Sequence, residues 1–148
     1  MKGFLIIILV LFLAFQLIQI DRTNKPIDPK LALNAPKEIE KILQKSCYDC
    51  HSNKTNYPWY SYIAPISWSI GYHIKEGRKA LNFSTWNLLD KEKKIKKLKR
   101  CIQTVKFNMM PLPSYVWIHK DAILNKEQKK LLISYFDELL KKYDSDKN

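Results

Sequence analysis

Residues Cys47, Tyr48, Asp49, Cys50 and His51 run C-x-x-C-H, and no other stretch constrains this chain so tightly. Two thiols within one helical turn can each add to a vinyl group of the same porphyrin. The histidine that follows can then turn its imidazole onto the iron. That is the attachment signature of a c-type haem. It names Cys47 and Cys50 as cofactor-binding residues and His51 as the proximal metal ligand.

Three other readings use the same residues. A thioredoxin-like dithiol needs a βαβ setting that this chain does not offer. A zinc site wants a second ligand pair at knuckle spacing, and the remaining cysteine, Cys101, stands alone. A chance match competes only until the rest of the chain is read.

The 148 residues suit one domain behind a separate N-terminal segment. Aromatics are plentiful and glycines number three, which argues against disorder and against a β-sandwich. With two thiols in the motif and one left over, no disulfide framework is implied. The net charge of +12 raises anionic lipid or nucleic acid as partners.

Residues 1–20 read as a signal anchor. Phe4 to Ile20 is apolar apart from Gln16 and Gln19, and as one helix would reach about 25 Å, against a hydrocarbon core near 30 Å. Small-x-small cleavage chemistry is missing before Asp21, so the segment is expected to be retained as a single-pass transmembrane helix. With Lys2 on one side and Arg22, Lys25 and Lys30 on the other, the positive-inside rule does not set the orientation. The haem motif does, because such haem is attached on the outer face of the bacterial inner membrane. The globular part is therefore expected in the periplasm or extracytoplasmic space, where nucleic acid is no partner.

Residues 21–35, with Pro26 and Pro29 among polar neighbours and Pro36 following, read as an extended tether. Residues 36–148 form the cytochrome c-like domain. A helix is expected from Asn34 or Ala35, with Ile39, Ile42 and Leu43 on one face, running straight into Cys47. The segment from Asn53 to Trp68 is dense in Tyr, Trp and Pro, residues that wall a haem pocket or fill a small core. A second helix fits Ile66 to Arg78, followed by a short turn capped by Ser84.

Lys91 to Arg100 is strongly basic, yet Ile95, Leu98, Ile102 and Val105 recur at helical spacing behind an Asp90 N-cap. The lysines are then a solvated face, available to steer an acidic redox partner protein. Cys101, beside the stripe, reads as a small buried thiol. Asn108 suits a left-handed helix end. Pro111 holds Met110 extended, placing its thioether to serve as distal iron ligand. Met–His ligation raises the reduction potential and suits electron transfer. His73 and His119 are the alternative distal ligands. A last helix spans Lys126 to Tyr143, opened by an Asn125–Gln128 capping box, with Leu131, Leu132, Tyr135, Phe136, Leu139, Leu140 and Tyr143 inward. No stretch alternates like a strand, so the fold class is all-α.

Taken together, the chain resembles the small bacterial haem-binding domain family related to c-type cytochromes. The resemblance is carried by Cys47–Asn53, Tyr57-Pro58-Trp59-Tyr60, Ile63-Ala64-Pro65, Gly77-Arg78, Leu81-Asn82-Phe83-Ser84, Met110–Tyr115 and Ile118-His119. It spans roughly Ile39 to Phe136. Relatives tend to have glycine where this chain has Asn108. The resemblance implies one covalent haem c on Cys47 and Cys50, iron on His51, and a single extracytoplasmic domain behind an N-terminal anchor. The expected activity is one-electron transfer without substrate turnover. The competing expectation is a haem sensor or peroxidase-like protein with a displaceable distal ligand.

Overall fold

A computed structural model describes residues 1–145; among these the chain is all-α, with no strand. Seven α-helices follow one another: α1 (Lys2–Phe15), α2 (Lys37–Ser46), α3 (Tyr48–His51), α4 (Ile66–Ala80), α5 (Lys91–Lys106), α6 (Pro113–Ile118) and α7 (Lys126–Ser145). Short 3-10 segments occupy Trp59–Tyr62, Phe83–Leu88, which is kinked at Thr85, and Lys120–Ala122.

The core forms where α5 and α7 pack together under α2. Leu98 and Val105 of α5 meet Leu132 and Phe136 of α7, with Ile39, Ile42 and Leu43 of α2 and Trp86 filling the same cluster. Leu43, Leu98 and Leu132 are almost wholly shielded from solvent, and burial of each contributes roughly 1.5–3 kcal/mol. The basic run of α5 is thus one face of an amphipathic helix, as its apolar spacing implies. Ile102 and Cys101 pack partly buried against the cluster.

Local chemistry sets the helix ends. The Asp90 carboxylate accepts from Lys93 N at 2.8 Å and caps α5. Asn125 and Gln128 exchange side-chain bonds to each other's backbone N–H at 2.8 and 3.0 Å, the reciprocal box expected at the start of α7. Asn108 takes φ 57°, the left-handed conformation expected just past α5. Other details differ. The cap of the Phe83–Leu88 turn is Asn82, which accepts from Ser84 N, rather than Ser84 itself. Leu131 lies 37% exposed, off the buried face of α7. Helix α2 begins at Lys37 rather than at Asn34 or Ala35, because Pro36 keeps an extended ψ of 148°. It also does not run unbroken into the motif. Cys47 leaves helical geometry at φ −132°, although its N–H still reaches the Leu43 carbonyl at 2.8 Å.

The N-terminal segment departs most from expectation. Instead of one helix to Ile20, α1 stops at Phe15, and among the described residues no helix is long and apolar enough to cross a membrane. The reason is docking beyond Phe15. The Gln16 amide pairs with both polar groups of Ala64, accepting from its N at 2.9 Å and donating to its O at 3.2 Å. Trp68 Nε1 donates to the Ile18 carbonyl at 2.8 Å, and Ile20 packs on Gly71. These contacts reward an extended path along the domain over further helical turns. The residues expected as a tether continue along it: Arg22 donates to the Ser61 carbonyl, Asn24 bonds both backbone groups of Thr55, and Leu33 N reaches Phe83 O at 2.8 Å.

Candidate haem site

Tyr48 to His51 of the C-x-x-C-H motif form the single turn α3, wedged against α4, with Cys47 at its N-cap. The closeness of that packing depends on Gly77: a Cβ there would lie 2.5 Å from the Cys50 carbonyl oxygen. Each remaining residue of the motif is fixed by a different part of the chain. Tyr48 turns into the core, 5% exposed, and donates its hydroxyl to Glu40. Asp49 accepts from Tyr115 Oη at 2.7 Å through one oxygen and from Asn56 N at 2.9 Å through the other.

His51 has one nitrogen tied and one free. Nδ1 lies 3.0 Å from both the Gly77 and the Leu81 carbonyl oxygens. Carbonyls only accept, so Nδ1 carries the proton, and the neutral ring keeps its lone pair on Nε2. A fixed tautomer of this kind is how proteins orient a metal-binding histidine. Burial holds the ring's pKa below its usual range, the neighbouring Lys97 adding to the effect while the two carbonyl bonds oppose it, so the neutral ligand form is favoured.

Beside this ring opens a cavity of about 260 Å³, lined by Cys47, Cys50, His51, His73, Glu76, Met110 and Tyr115 among others. Its walls are mostly apolar. A second cavity of about 210 Å³ adjoins it and shares Asp49, Cys50, His73, Leu112 and Tyr115. Cys47 and Cys50 are free thiols. Burial pushes Cys47 up to about 12 and Cys50 to about 11, so both are held as SH groups. A thioredoxin-type dithiol depends on the opposite shift. Among the described residues no three His, Cys, Asp or Glu side chains converge as a metal site.

The loop after α5 delivers Met110. Thr104 O accepts from both Met109 N and Met110 N, at 2.8 and 3.1 Å, which folds the loop back over the helix end. Met110 then lines the first cavity, whereas Met109 is 57% exposed. Five of the six expected site residues, Cys47, Cys50, His51, Met110 and His73, thus line one cavity. His119 does not: it lines only the second, stacked on Tyr115 at 4.1 Å between centroids, with Nδ1 3.1 Å from Tyr115 O and Nε2 2.8 Å from Tyr60 Oη.

Several residues of the quoted motifs take part through contacts that the sequence does not disclose. The Leu81 carbonyl that orients His51 is a backbone atom and leaves no trace in residue type. Arg78 ties α4 to the loop after the motif, donating to Ser52 O at 2.8 Å and Thr55 Oγ1 at 2.9 Å. Helix α6, which carries Tyr115, was signalled only by Pro113 at its first position. Asn53, Gly77, Leu81, Asn82 and Ser84, scattered in sequence, all meet around His51 and its loop: Asn53 N donates to Ser84 Oγ, and Asn82 Nδ2 to Asn53 Oδ1.

A fixed imidazole with a free Nε2, two thiols and a thioether on one apolar cavity suit a porphyrin iron in donor type and polarity. No curated protein and no solved structure matches the chain. A family model described as a haem-binding domain matches residues 10–138. With that match spanning most of its length, the chain belongs to the haem-binding domain family.

Proposed function

We propose that this chain carries one haem, bonded through Cys47 and Cys50, and passes single electrons outside the bacterial inner membrane, with α1 as its lipid anchor. One observation carries the reading: His51 Nδ1 is saturated by two carbonyls beside a cavity that Cys47, Cys50 and Met110 also line. Haem, when bound, supplies an iron that cycles between ferrous and ferric states.

The chain's own residues do the rest. Cys47 and Cys50 would hold the haem through two thioether bonds, each thiol giving its hydrogen to the vinyl group that it joins, with no net oxidation or reduction. His51 offers Nε2 while its Nδ1–H stays on the Gly77 and Leu81 carbonyls, a contact that makes the imidazole a stronger donor. Met110 offers a soft thioether, which favours the reduced state. The exposed lysines of α5 give a basic face for an acidic redox partner.

A pyridine haemochrome spectrum of the chain, produced with haem-maturation machinery, tests the attachment. The spectrum of two saturated vinyls is expected; that of free protohaem would refute covalent binding. Slow or absent carbon monoxide binding by the reduced protein is expected for a carrier. The second reading, a sensor or peroxidase-like protein, draws on His73, which lines both cavities. It requires rapid carbon monoxide binding.

A further inference from the structure

We infer that the haem domain does not hang free of the membrane but is seated on an anionic phospholipid surface by an aromatic collar around the base of α1. The inference rests on the reading of α1 as a lipid anchor and adds the domain's own contact with the bilayer.

Every residue of α1 is unburied by the domain, and after Lys2 the helix is wholly apolar. Its end is fastened rather than hinged. Phe15 packs edge-on against Trp68 at 5.4 Å, and Gln16 is paired to the Ala64 backbone. Ile20 lies on Gly71, where an added Cβ would meet it at 3.0 Å. Arg22 donates to Ser61 O and covers the Tyr62 ring at 4.1 Å. The floor of this strap is therefore the stretch from Ser61 to Gly71. Large aromatic side chains on and beside that floor remain exposed: Trp59 is 75%, Tyr62 53% and Tyr72 63%.

Why lipid, and not a protein partner, covers them follows from two points. Trp and Tyr beside Arg at the end of an apolar helix is the composition that membranes select at their interface. The patch is continuous with α1 through the strap, so whatever surrounds the helix end lies against the collar too. The net charge of +12 favours an anionic surface.

The test uses the full, haem-loaded and reduced chain, labelled with 5-fluorotryptophan, in nanodiscs of phosphatidylglycerol and phosphatidylcholine doped with gadolinium-chelating lipid. Fluorine spectra are assigned with Trp59→Phe, Trp68→Phe and Trp117→Phe, and flotation with vesicles of the same lipids is run in parallel. Several-fold broadening of the Trp59 line is expected, with the core Trp86 line unchanged. Equal widths for Trp59 and Trp86 in a protein that floats would overturn the seating and leave the anchor standing. A chain that does not float would overturn the anchor and the seating with it. Gln16→Ala, made together with Arg22→Ala, loosens the strap without touching the haem cavity and is expected to restore much of the Trp59 signal. Persistent broadening in that variant would sink the role given to the strap.

Discussion

The Cys50 carbonyl oxygen sits where a side chain on Gly77 would have to go, 2.5 Å from the position of its Cβ. Both groups belong to helices, so neither can step aside alone. Gly77→Ala should push α3 from α4, displacing the Gly77 carbonyl from His51 Nδ1. A loss of about 1–3 kcal/mol is expected from such overpacking, read from urea midpoints. Haem content by pyridine haemochrome should fall in the same variant.

The distal ligand is tested by three single substitutions. Met110→Ala should lower the reduction potential and abolish the methionine-to-iron charge-transfer band. His119→Ala should leave both unchanged, since that ring faces only the second cavity. His73→Ala is the discriminating case, because His73 shares the first cavity with Met110. A spectrum that survives Met110→Ala and collapses with His73→Ala would transfer the ligand role to His73.

His51 also makes the haem-free chain sensitive to acid. Burial, the larger effect, lowers its pKa from the ordinary 6.5 in the folded state. A depressed base binds fewer protons when folded than when unfolded, so its share of stability is present above pH 6.5 and lost as pH falls through that value toward the lowered one. The urea midpoint of the haem-free protein should drop across that window, and His51→Gln should flatten the dependence. Iron on Nε2 competes with the same proton, so the loaded protein should show less of it.

Leu132 is fully buried between α5 and α7. Leu132→Ala should cost about 2–5 kcal/mol, the range for opening a cavity in a packed core, measured by chemical denaturation. Leu131→Ala, one residue away and 37% exposed, should cost far less. That contrast checks which face of α7 is inward.

Much of the fold was legible because its signals are local. Helical spacing places Leu98 and Val105 inside, and Asp90, Asn108 and the Asn125–Gln128 pair mark helix ends through bonds that span three or four residues. The residues that gather on the first cavity stood out for a different reason: Cys47, Cys50, His51 and Met110 are types with few roles that suit them in those settings. What the sequence could not disclose were relationships made by tertiary approach. Nothing in residue type says that the Leu81 carbonyl turns back to His51, that Tyr115 reaches Asp49, or that His119 is claimed by Tyr60 and Tyr115. The early end of α1 is of the same kind. Apolar composition continues to Ile20, but Gln16 finds a backbone partner at Ala64 that no pattern within residues 1–20 could reveal.

That pairing bears on processing as well as on position. A peptidase needs several residues of accessible, extendable backbone around its scissile bond. Once the domain has folded, the Gln16 amide, the Ile18 carbonyl and the Ile20 side chain are all engaged by Ala64, Trp68 and Gly71. Cutting the chain there would first require peeling the strap away. The folded domain is therefore expected to slow cleavage between Gln16 and Ile20, a protection that the unfolded chain would lack.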